Sequence, residues 1–396
     1  MNKTWIFATM ALALGTSCSK DKGIDIDDSS RQEILLGTGS TVSVSRASRG
    51  GGAVGGLTGA NNWNGETVYV YGITDNDDDK APINGVKAVA PKDVETGKLS
   101  WAADEPVQHF YYEGNDKYNF YAVHVDGAAG EDADLKIGDL ENLEKNGYSI
   151  PVTIDGTQDL MVAMPNKTAD IEDNAEVEDI TNLYSAWSSR RGVVPNLVFN
   201  HLLCRLNFLA KCGNKEEQIP SGDEALKITN ITVKQVVNKG DIVVIPAAKQ
   251  EPDAEVTSED QVFIASTAPE DKGDFPVKQK GSSNVLEDLK PVSLTKDAIE
   301  VGEDVLVTPS TVFKISVTAS QTVNGNVETR TQEFDLLASN VKDPEDKPLK
   351  EFKKGEIYNI TIKLYKEEEI IIECSLTPWK DGGSGELDEE TINAFD

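Results

Sequence analysis

The residues from Glu33 to Arg46 (EILLGTGSTVSVSR) alternate strictly between two kinds of side chain. The positions on one face are aliphatic or hydroxyl-bearing: Ile34, Leu36, Thr38, Ser40, Val42 and Val44. The opposite face consists of glycine, serine and threonine, with Leu35 as its only apolar member. A period of two with one apolar face is typical of a half-buried β-strand. The pattern therefore predicts an N-terminal strand that covers a core.

Most of the remaining chain is also predicted to form short strands. β-Branched and aromatic residues are concentrated in segments separated by turn-forming residues: Thr67–Gly72, Tyr118–Val125, Asp159–Met164, Asn196–Lys211, Leu226–Val236, Asp241–Ile245, Gln261–Ala265, Asp304–Val307, Val312–Val317, Thr329–Leu337, Ile357–Tyr365 and Ile370–Leu376. Only Asp132–Lys145 and Asp173–Ser188 have a helical pattern. Many short strands joined by long turns indicate an all-β fold of two sandwiches in tandem. The polar stretch from Pro246 to Asp260 is the best candidate for a domain boundary.

The segment Asn196–Lys211 is apolar enough to be mistaken for a helix, but its parity favours one continuous strand. The apolar face would carry Val198, Leu202, Cys204, Leu206, Phe208 and Ala210, and the polar face His201, Arg205, Asn207 and Lys211. Cys204 and Cys212 would lie about 26 Å apart in an extended chain. That distance is too large for a disulfide, so buried thiols are expected.

The first eighteen residues have the pattern of an export leader. A short positive start is followed by ten apolar residues from Trp5 to Leu14, whereas a stable membrane span needs about 20. Small residues then lead to Cys18, and Leu14–Cys18 (LGTSC) resembles a bacterial lipoprotein box with its leucine displaced by one position. Residues 1–17 are predicted to be a lipoprotein signal peptide, and Cys18 the acylated residue. An ordinary signal peptide followed by a chance cysteine is the alternative.

The predicted N-terminal strand ends at a pair of arginines, Arg46 and Arg49, beside a glycine-rich stretch (GGGAVGGLTG). Because proteolysis concentrates in loops of small residues, one hypothesis is a trypsin-like protease that cuts after Arg46 and leaves Ala47 first. Arg49 is the alternative cleavage position, and an uncut basic linker is the alternative interpretation. The same glycines contain a GxGxxG pattern, but no helix follows to receive a pyrophosphate. No cofactor is predicted.

The amino-acid composition argues against several classes of function. The chain has 68 acidic and 38 basic side chains and a formal net charge of −30, and such a surface repels nucleic acid. Three histidines and four cysteines leave little material for a metal site or a disulfide framework. Motifs of zinc proteases, serine hydrolases, P-loops and thiol redox proteins are missing, so no catalytic residue and no enzyme activity are predicted. The run Asp75–Asp79 lacks EF-hand spacing and is interpreted as a solvated turn rather than a calcium loop.

Four features follow one another along nearly the whole chain: the lipoprotein leader, the alternating strand ending in Ser45-Arg46-Ala47, the segment Leu197–Phe208 (LVFNHLLCRLNF), and the closing Gly355–Leu364 (GEIYNITIKL) with Thr377-Pro378-Trp379. Each is weak alone, but their order and spacing resemble the fimbrillin family, also called type V pilins, of Gram-negative gut and oral anaerobes. The resemblance implies two tandem transthyretin-like β-sandwich domains with Greek-key-type topology. These domains would occupy residues 47–246 and 247–396, after a tether and removable strand at residues 18–46.

The resemblance also implies a mechanism. The lipid on Cys18 carries the precursor to the outer membrane, where an arginine-specific protease cuts after Arg46. The removable strand, defined by Ile34, Leu36, Val42 and Val44, then leaves its domain. A strand from a neighbouring fimbrial subunit fills the vacated groove by donor-strand exchange, and repetition builds a filament. The function implied is a stalk or tip pilin with a role in adhesion to the host or to other bacteria.

In the family the usual donor is the C-terminal segment, which here is Lys380–Asp396 (KDGGSGELDEETINAFD). Its only apolar residues are Leu387, Ile392, Ala394 and Phe395. So weak a donor leaves an accessory or tip subunit open beside a stalk subunit. A hypothesis of a different class is a monomeric outer-membrane surface lipoprotein that binds a glycan or a host protein through its loops.

Overall fold

The computed structural model describes residues 32–38 and 63–378, apart from residues 75, 77–78, 95–96, 107, 113–115, 131–132, 166–183, 191–192, 216–218, 250–255, 282–285, 344 and 366–369. Strands dominate the described residues, which confirms the predicted all-β class. Their sequences are rich in the β-branched and aromatic side chains that pack well on a pleated surface. The transthyretin-like subtype stays a prediction.

The first half of the chain forms short strands and two short helices. The strands are β1 (Gly37–Thr38), β2 (Trp63–Asn64), β3 (Thr67–Thr74), β4 (Ile83–Val89), β5 (Lys92–Val94), β6 (Gly97–Lys98), β7 (Ser100–Trp101), β8 (Tyr118–His124), β9 (Tyr148–Thr153), β10 (Met161–Pro165) and β11 (Asn196–His201). The helices are α1 (Leu143–Asn146) and α2 (Ala186–Arg190).

The second half adds β12 (Cys204–Cys212), β13 (Lys227–Val237), β14 (Lys239–Ile245), β15 (Phe263–Ala265), β16 (Lys272–Pro276), β17 (Lys278–Lys280), β18 (Leu286–Asp288), β19 (Val292–Ser293), β20 (Ile299–Glu300), β21 (Val305–Val307), β22 (Val312–Val323), β23 (Asn326–Leu337), β24 (Glu356–Leu364) and β25 (Ile370–Pro378). Single 3-10 turns occur at Gly222–Glu224, Ser258–Asp260 and Ala338–Asn340. The β22–β23 hairpin turns at Asn324 and Gly325, both with positive φ, as expected for a two-residue hairpin loop.

The first half builds an eight-stranded sheet in the order β6-β1-β11-β10-β8-β3-β4-β7. Strand β1 lies inside this sheet rather than at its edge. It pairs parallel with β11 and antiparallel with β6. Gly37 and Thr38 are therefore an integral part of the first sheet.

The second half builds two five-stranded sheets. One has the order β20-β12-β24-β25, with β21 also paired to β12, and the other has the order β16-β13-β22-β23, with β19 also paired to β13. A three-stranded sheet, β15-β14-β9, joins strands from both halves. Strands from both sides of Pro246 thus share sheets, and the boundary near that residue stays a prediction.

The eight-stranded sheet contributes side chains to two apolar cores. On β8, Phe120 and Ala122 belong to a core shared with Ile34 and Leu36, whereas Val123 belongs to the larger core, which contains residues from both halves of the chain. Alternation along the strand places these residues on opposite faces. Every residue of β8 is buried or half-buried, so neither face of this strand is open to solvent.

The predicted continuous strand Asn196–Lys211 was wrong in one respect, because the chain changes sheets at Leu202 and Leu203. Strand β11 belongs to the eight-stranded sheet and β12 to a five-stranded sheet. Leu202 and Leu203 are both fully buried at this junction. The break also shifts the parity, so that Leu197 and Phe199 are buried while Val198 is only half-buried. No glycine or proline marks the switch in the sequence.

The predicted polar face of this segment is largely buried, and its side chains find polar partners. His201 Nδ1 lies 3.0 Å from Asp159 Oδ1. The Arg205 guanidinium pairs with the Asp304 carboxylate, and Asn207 donates to Asn359 Oδ1 at 2.9 Å (Nδ2 to Oδ1). Pairing removes most of the cost of burying such groups. Cys204 and Cys212 are buried free thiols on one strand, as predicted.

The predicted helix Asp132–Lys145 is wrong except for its last turn, because helix α1 begins only at Leu143. Asp134 Oδ1 accepts the Lys136 N–H at 3.2 Å, and Asp139 Oδ1 accepts the Asn142 N–H at 3.2 Å. Such side-chain bonds offer the backbone an alternative to helix formation. Of the second predicted helix, Asp173–Ser188, residues 173–183 lie outside the described residues, and α2 occupies Ala186–Arg190.

Candidate functional site

The removable strand predicted from the sequence begins inside the described part of the chain and continues beyond it. Ile34 and Leu36 are described, whereas Cys18, Val42, Val44, Arg46 and Ala47 lie outside the described residues. Residues 32–38 are called the N-terminal segment below, and the channel they occupy in the first sheet is called the slot.

The N-terminal segment directs alternate side chains into the protein. Ile34 and Leu36 are each 1% exposed and belong to the core that includes Leu99, Tyr111 and Phe199. Leu35, between them, is only half-buried. The predicted alternation therefore matches the burial at these positions.

The start of the N-terminal segment, residues 32–34, pairs with residues 109–111 as neighbouring antiparallel strands do. The Ile34 N–H donates to the His109 carbonyl at 2.7 Å, and the Tyr111 N–H donates to the Gln32 carbonyl at 2.9 Å. These two bonds flank Glu33 and Phe110, which face each other as an antiparallel bridge. In such an arrangement the facing residues are a non-hydrogen-bonded pair, with Cα atoms about 4.5 Å apart.

The end of the N-terminal segment, Leu36–Thr38, makes hydrogen bonds to residues on both of its sides. The Leu99 N–H donates to the Leu36 carbonyl at 2.9 Å, and the Gly37 N–H donates to the Pro195 carbonyl at 2.9 Å. The Thr38 hydroxyl accepts the Gly97 N–H at 2.8 Å and donates to the Gly97 carbonyl at 3.1 Å. Removing the segment would leave backbone donors and acceptors of the slot without these partners.

The slot walls are residues that sequence reasoning did not identify. They come from three separate places: Gly97–Leu99, His109–Tyr111 and Pro195–Asn196. These stretches are short and irregular, and no period or motif distinguishes them. Only the apolar character of Leu99 and Tyr111 hints that they are buried.

One wall residue, His109, carries a titratable ring. The His109 ring packs against Trp101 at a centroid distance of 4.4 Å, and its buried Nε2 has no hydrogen-bond partner among the residues that the structure describes. Burial lowers the pKa of His109 below its usual 6.5, opposed by the nearby Glu105 carboxylate. The folded state therefore binds fewer protons than the unfolded chain in this range, and the His109 contribution to stability is lost as the pH falls below about 6.5.

We accordingly expect the N-terminal segment, once cleaved at a single pH, to dissociate faster at about pH 5 than at about pH 7. Replacing His109 with glutamine, which stays neutral, should reduce this ratio of release rates. The measurement is the rate at which the cleaved fragment leaves, followed by mass spectrometry at both pH values. An unchanged ratio in His109→Gln would show that other groups cause the acid sensitivity.

Other candidate sites have structural roles. Of the predicted solvated turn Asp75–Asp79, residues 75 and 77–78 lie outside the described residues. Asn76 donates to Asp116 at 2.8 Å (Nδ2 to Oδ2), and the Tyr112 hydroxyl donates to Asp79 Oδ2 at 2.7 Å. The Asp79 bond and burial raise the Tyr112 pKa to about 12. Within the described ranges, no group of three His, Cys, Asp or Glu side chains is arranged to hold a metal ion. No helix among the described residues is long and apolar enough to cross a membrane.

Comparison with solved structures finds chains that are similar to this one at low sequence identity. Three solved structures similar to this chain are a candidate cell adhesion protein from Bacteroides uniformis, a fimbrilin from Porphyromonas gingivalis, and the tip fimbrial protein Mfa3 from Porphyromonas gingivalis with a C-terminal truncation. Their identities to this chain are 13%, 10% and 9%, and their TM-scores are 0.49, 0.38 and 0.36. Each match covers 88% of this chain, and 98%, 98% and 100% of the respective structures.

No curated protein sequence matches the chain. The model of the fimbrillin-like family, by contrast, matches residues 58–379. That family consists of structural proteins rather than enzymes, which agrees with the absence of catalytic motifs in the sequence. The resemblance seen in the sequence is thereby confirmed, and this chain belongs to the fimbrillin-like family.

Proposed function

We propose that this protein is a structural subunit of a surface fimbria that assembles by donor-strand exchange. In this proposal the precursor is exported as a lipoprotein acylated at Cys18 and is cleaved after Arg46 by an arginine-specific, trypsin-like protease at the cell surface. The segment with Ile34 and Leu36 then leaves the slot, and a strand of another fimbrial subunit enters it. The assembled fimbria would serve adhesion to the host or to other bacteria.

The observation that carries the proposal is the position of the N-terminal segment inside the first sheet. It supplies buried aliphatic side chains and, at the same time, main-chain partners to three separate parts of the chain. Burial of Ile34 and Leu36 contributes about 1.5–3 kcal/mol each. A slot that has lost the segment exposes apolar surface together with unpaired backbone groups, and both are satisfied by another β-strand.

The sequence places the two proposed processing positions on opposite sides of this segment. Cys18 precedes it and Arg46 follows it. One cut after Arg46 therefore separates both the lipid and the segment from the remaining protein. The partners expected from this arrangement are the membrane before cleavage, the protease, and other fimbrial subunits afterwards.

The test is to incubate the purified precursor with a trypsin-like protease. We expect a fragment that ends at Arg46, a mature chain that begins at Ala47, and ladders of polymer in non-denaturing electrophoresis. A cleaved protein that stays monomeric and binds a glycan or host protein would instead support the alternative of a surface lipoprotein that works alone.

A further inference from the structure

The inward-facing positions of the N-terminal segment are not all apolar. Ile34 and Leu36 are followed, at the next inward position, by Thr38, which is 4% exposed. The Thr38 hydroxyl bonds to both main-chain groups of Gly97, accepting from its N–H at 2.8 Å and donating to its carbonyl at 3.1 Å. One buried side chain thus satisfies a donor and an acceptor of the slot wall.

Few side chains can replace this hydroxyl. An aliphatic residue at the Thr38 position would keep the main-chain pairing with Gly97 but would lose both side-chain bonds to this half-buried residue, and each lost bond weakens the contact. A carboxylate could accept from the N–H but could not donate to the carbonyl, and it would bring a charge into a buried place. Serine and threonine carry the required donor and acceptor on one short side chain.

We propose that the slot selects incoming strands by a three-position pattern: an aliphatic residue where Ile34 lies, an aliphatic residue where Leu36 lies, and serine or threonine where Thr38 lies. This inference rests on the proposed function, because it specifies the strand that would enter the emptied slot. The occupant is therefore a donor segment with alternating aliphatic, aliphatic and hydroxyl side chains.

The intermediate position, Gly37, adds a weaker preference. A Cβ atom on Gly37 would overlap with Asn196 Oδ1. A larger residue there requires the Asn196 side chain to turn aside, which is a smaller obstacle than a clash with backbone. The pattern therefore depends on the inward positions.

The segment Lys380–Asp396 of this chain does not contain the pattern. Its apolar pair with the right spacing, Ile392 and Ala394, is followed at the third position by Asp396. Leu387 has Glu389 two residues later. We therefore expect the donor for this slot to come from a segment other than Lys380–Asp396.

Synthetic peptides test the pattern directly. The precursor is cleaved with trypsin, freed of its N-terminal fragment, and titrated with a fluorescent peptide of residues 32–40. We expect the Thr38→Val peptide to bind about ten- to a hundred-fold more weakly, and the Thr38→Ser peptide to recover most of the loss. The Leu35→Ala peptide is the matched control, because Leu35 is not one of the inward-facing positions. A peptide of residues 383–396 should not compete.

The outcomes distinguish a failure of the three-position pattern from a failure of the proposed function. If the Thr38→Val peptide binds as well as the native peptide, or the 383–396 peptide competes equally, the pattern is wrong while strand replacement stands. If the native peptide fails to bind a cleaved protein that is still folded, the proposed function fails, and the pattern with it. In the full chain, Thr38→Val should speed release of the cleaved fragment by a similar factor and Thr38→Ser should not; equal rates would overturn the pattern.

Discussion

Replacing Leu36 with alanine should lower the free energy of unfolding by about 2–5 kcal/mol. Leu36 is 1% exposed and lies in the core of the first sheet with Phe199 and Tyr111. Truncation removes buried methyl groups and leaves a cavity that the surrounding strands fill only partly. The loss should fall mainly on the N-terminal segment, because Leu36 belongs to the segment rather than to its walls. Urea unfolding followed by tryptophan fluorescence measures the total change.

Leu35→Ala is the matched control for this substitution. It makes the same chemical change one residue earlier, at a half-buried position, and should cost much less. Hydrogen exchange at the Leu99 and Tyr111 amides, which donate to the segment, should accelerate strongly in Leu36→Ala and little in Leu35→Ala. Equal effects of the two substitutions would show that the inward side chain does not hold the segment in place.

Replacing Arg46 with alanine should abolish both the released fragment and the polymer. In the proposed mechanism the N-terminal segment occupies the slot until the chain is cut behind it. A protein that keeps a covalent link between the segment and the first domain would have its slot refilled by its own strand, because an attached strand is present at a high effective concentration. The measurement is mass spectrometry of the fragment, with native electrophoresis of the product.

Arg49→Ala provides the control, since it removes the neighbouring arginine and leaves the proposed site intact. This variant should be processed and should polymerise like the native protein. If Arg46→Ala is instead cut after Arg49 and polymerises normally, the processing position is Arg49 and our assignment is wrong. A cut after Arg31, which precedes the segment, should release no strand and yield no polymer.

The parts of the fold that depend on local periodicity could be predicted from the sequence. Alternation from Glu33 onward predicted that Ile34 and Leu36 would be buried while Leu35 would be less so. The hairpin β22–β23 was not predicted, since the predicted strands Val312–Val317 and Thr329–Leu337 stop short of its turn, although β-branched residues that flank an Asn-Gly turn are an equally local signal. In both cases neighbours along the chain determine the conformation.

The slot itself could not be predicted, because its walls are assembled from distant residues. Gly97 receives the Thr38 hydroxyl across 59 positions of the chain, and Pro195 receives the Gly37 N–H from still farther along. Such long-range pairings cannot be inferred from a single sequence. The sheet change at Leu202 and Leu203 escaped detection for a related reason, since two buried leucines continue an apolar run whether the strand breaks or not.

The polar residues of β11 and β12 likewise have partners that the sequence does not reveal. Their period of two predicted a polar face, and His201, Arg205 and Asn207 are buried on it. Their partners Asp159, Asp304 and Asn359 lie 42, 99 and 152 positions away. Polarity in the sequence therefore indicated a need for hydrogen bonds, which the folded protein meets internally instead of with water.

The central claim, that the N-terminal segment must leave the slot before assembly, is tested most directly by a reversible lock. Glu33 and Phe110 face each other as a non-hydrogen-bonded pair, whose Cα separation of about 4.5 Å suits a disulfide. The variant Glu33→Cys/Phe110→Cys is oxidised, cleaved with trypsin, and followed by native electrophoresis, with Glu33→Cys alone as control. We predict no polymer while the disulfide is intact, and polymer after reductant is added. Polymer formed equally well by the oxidised protein would contradict the claim.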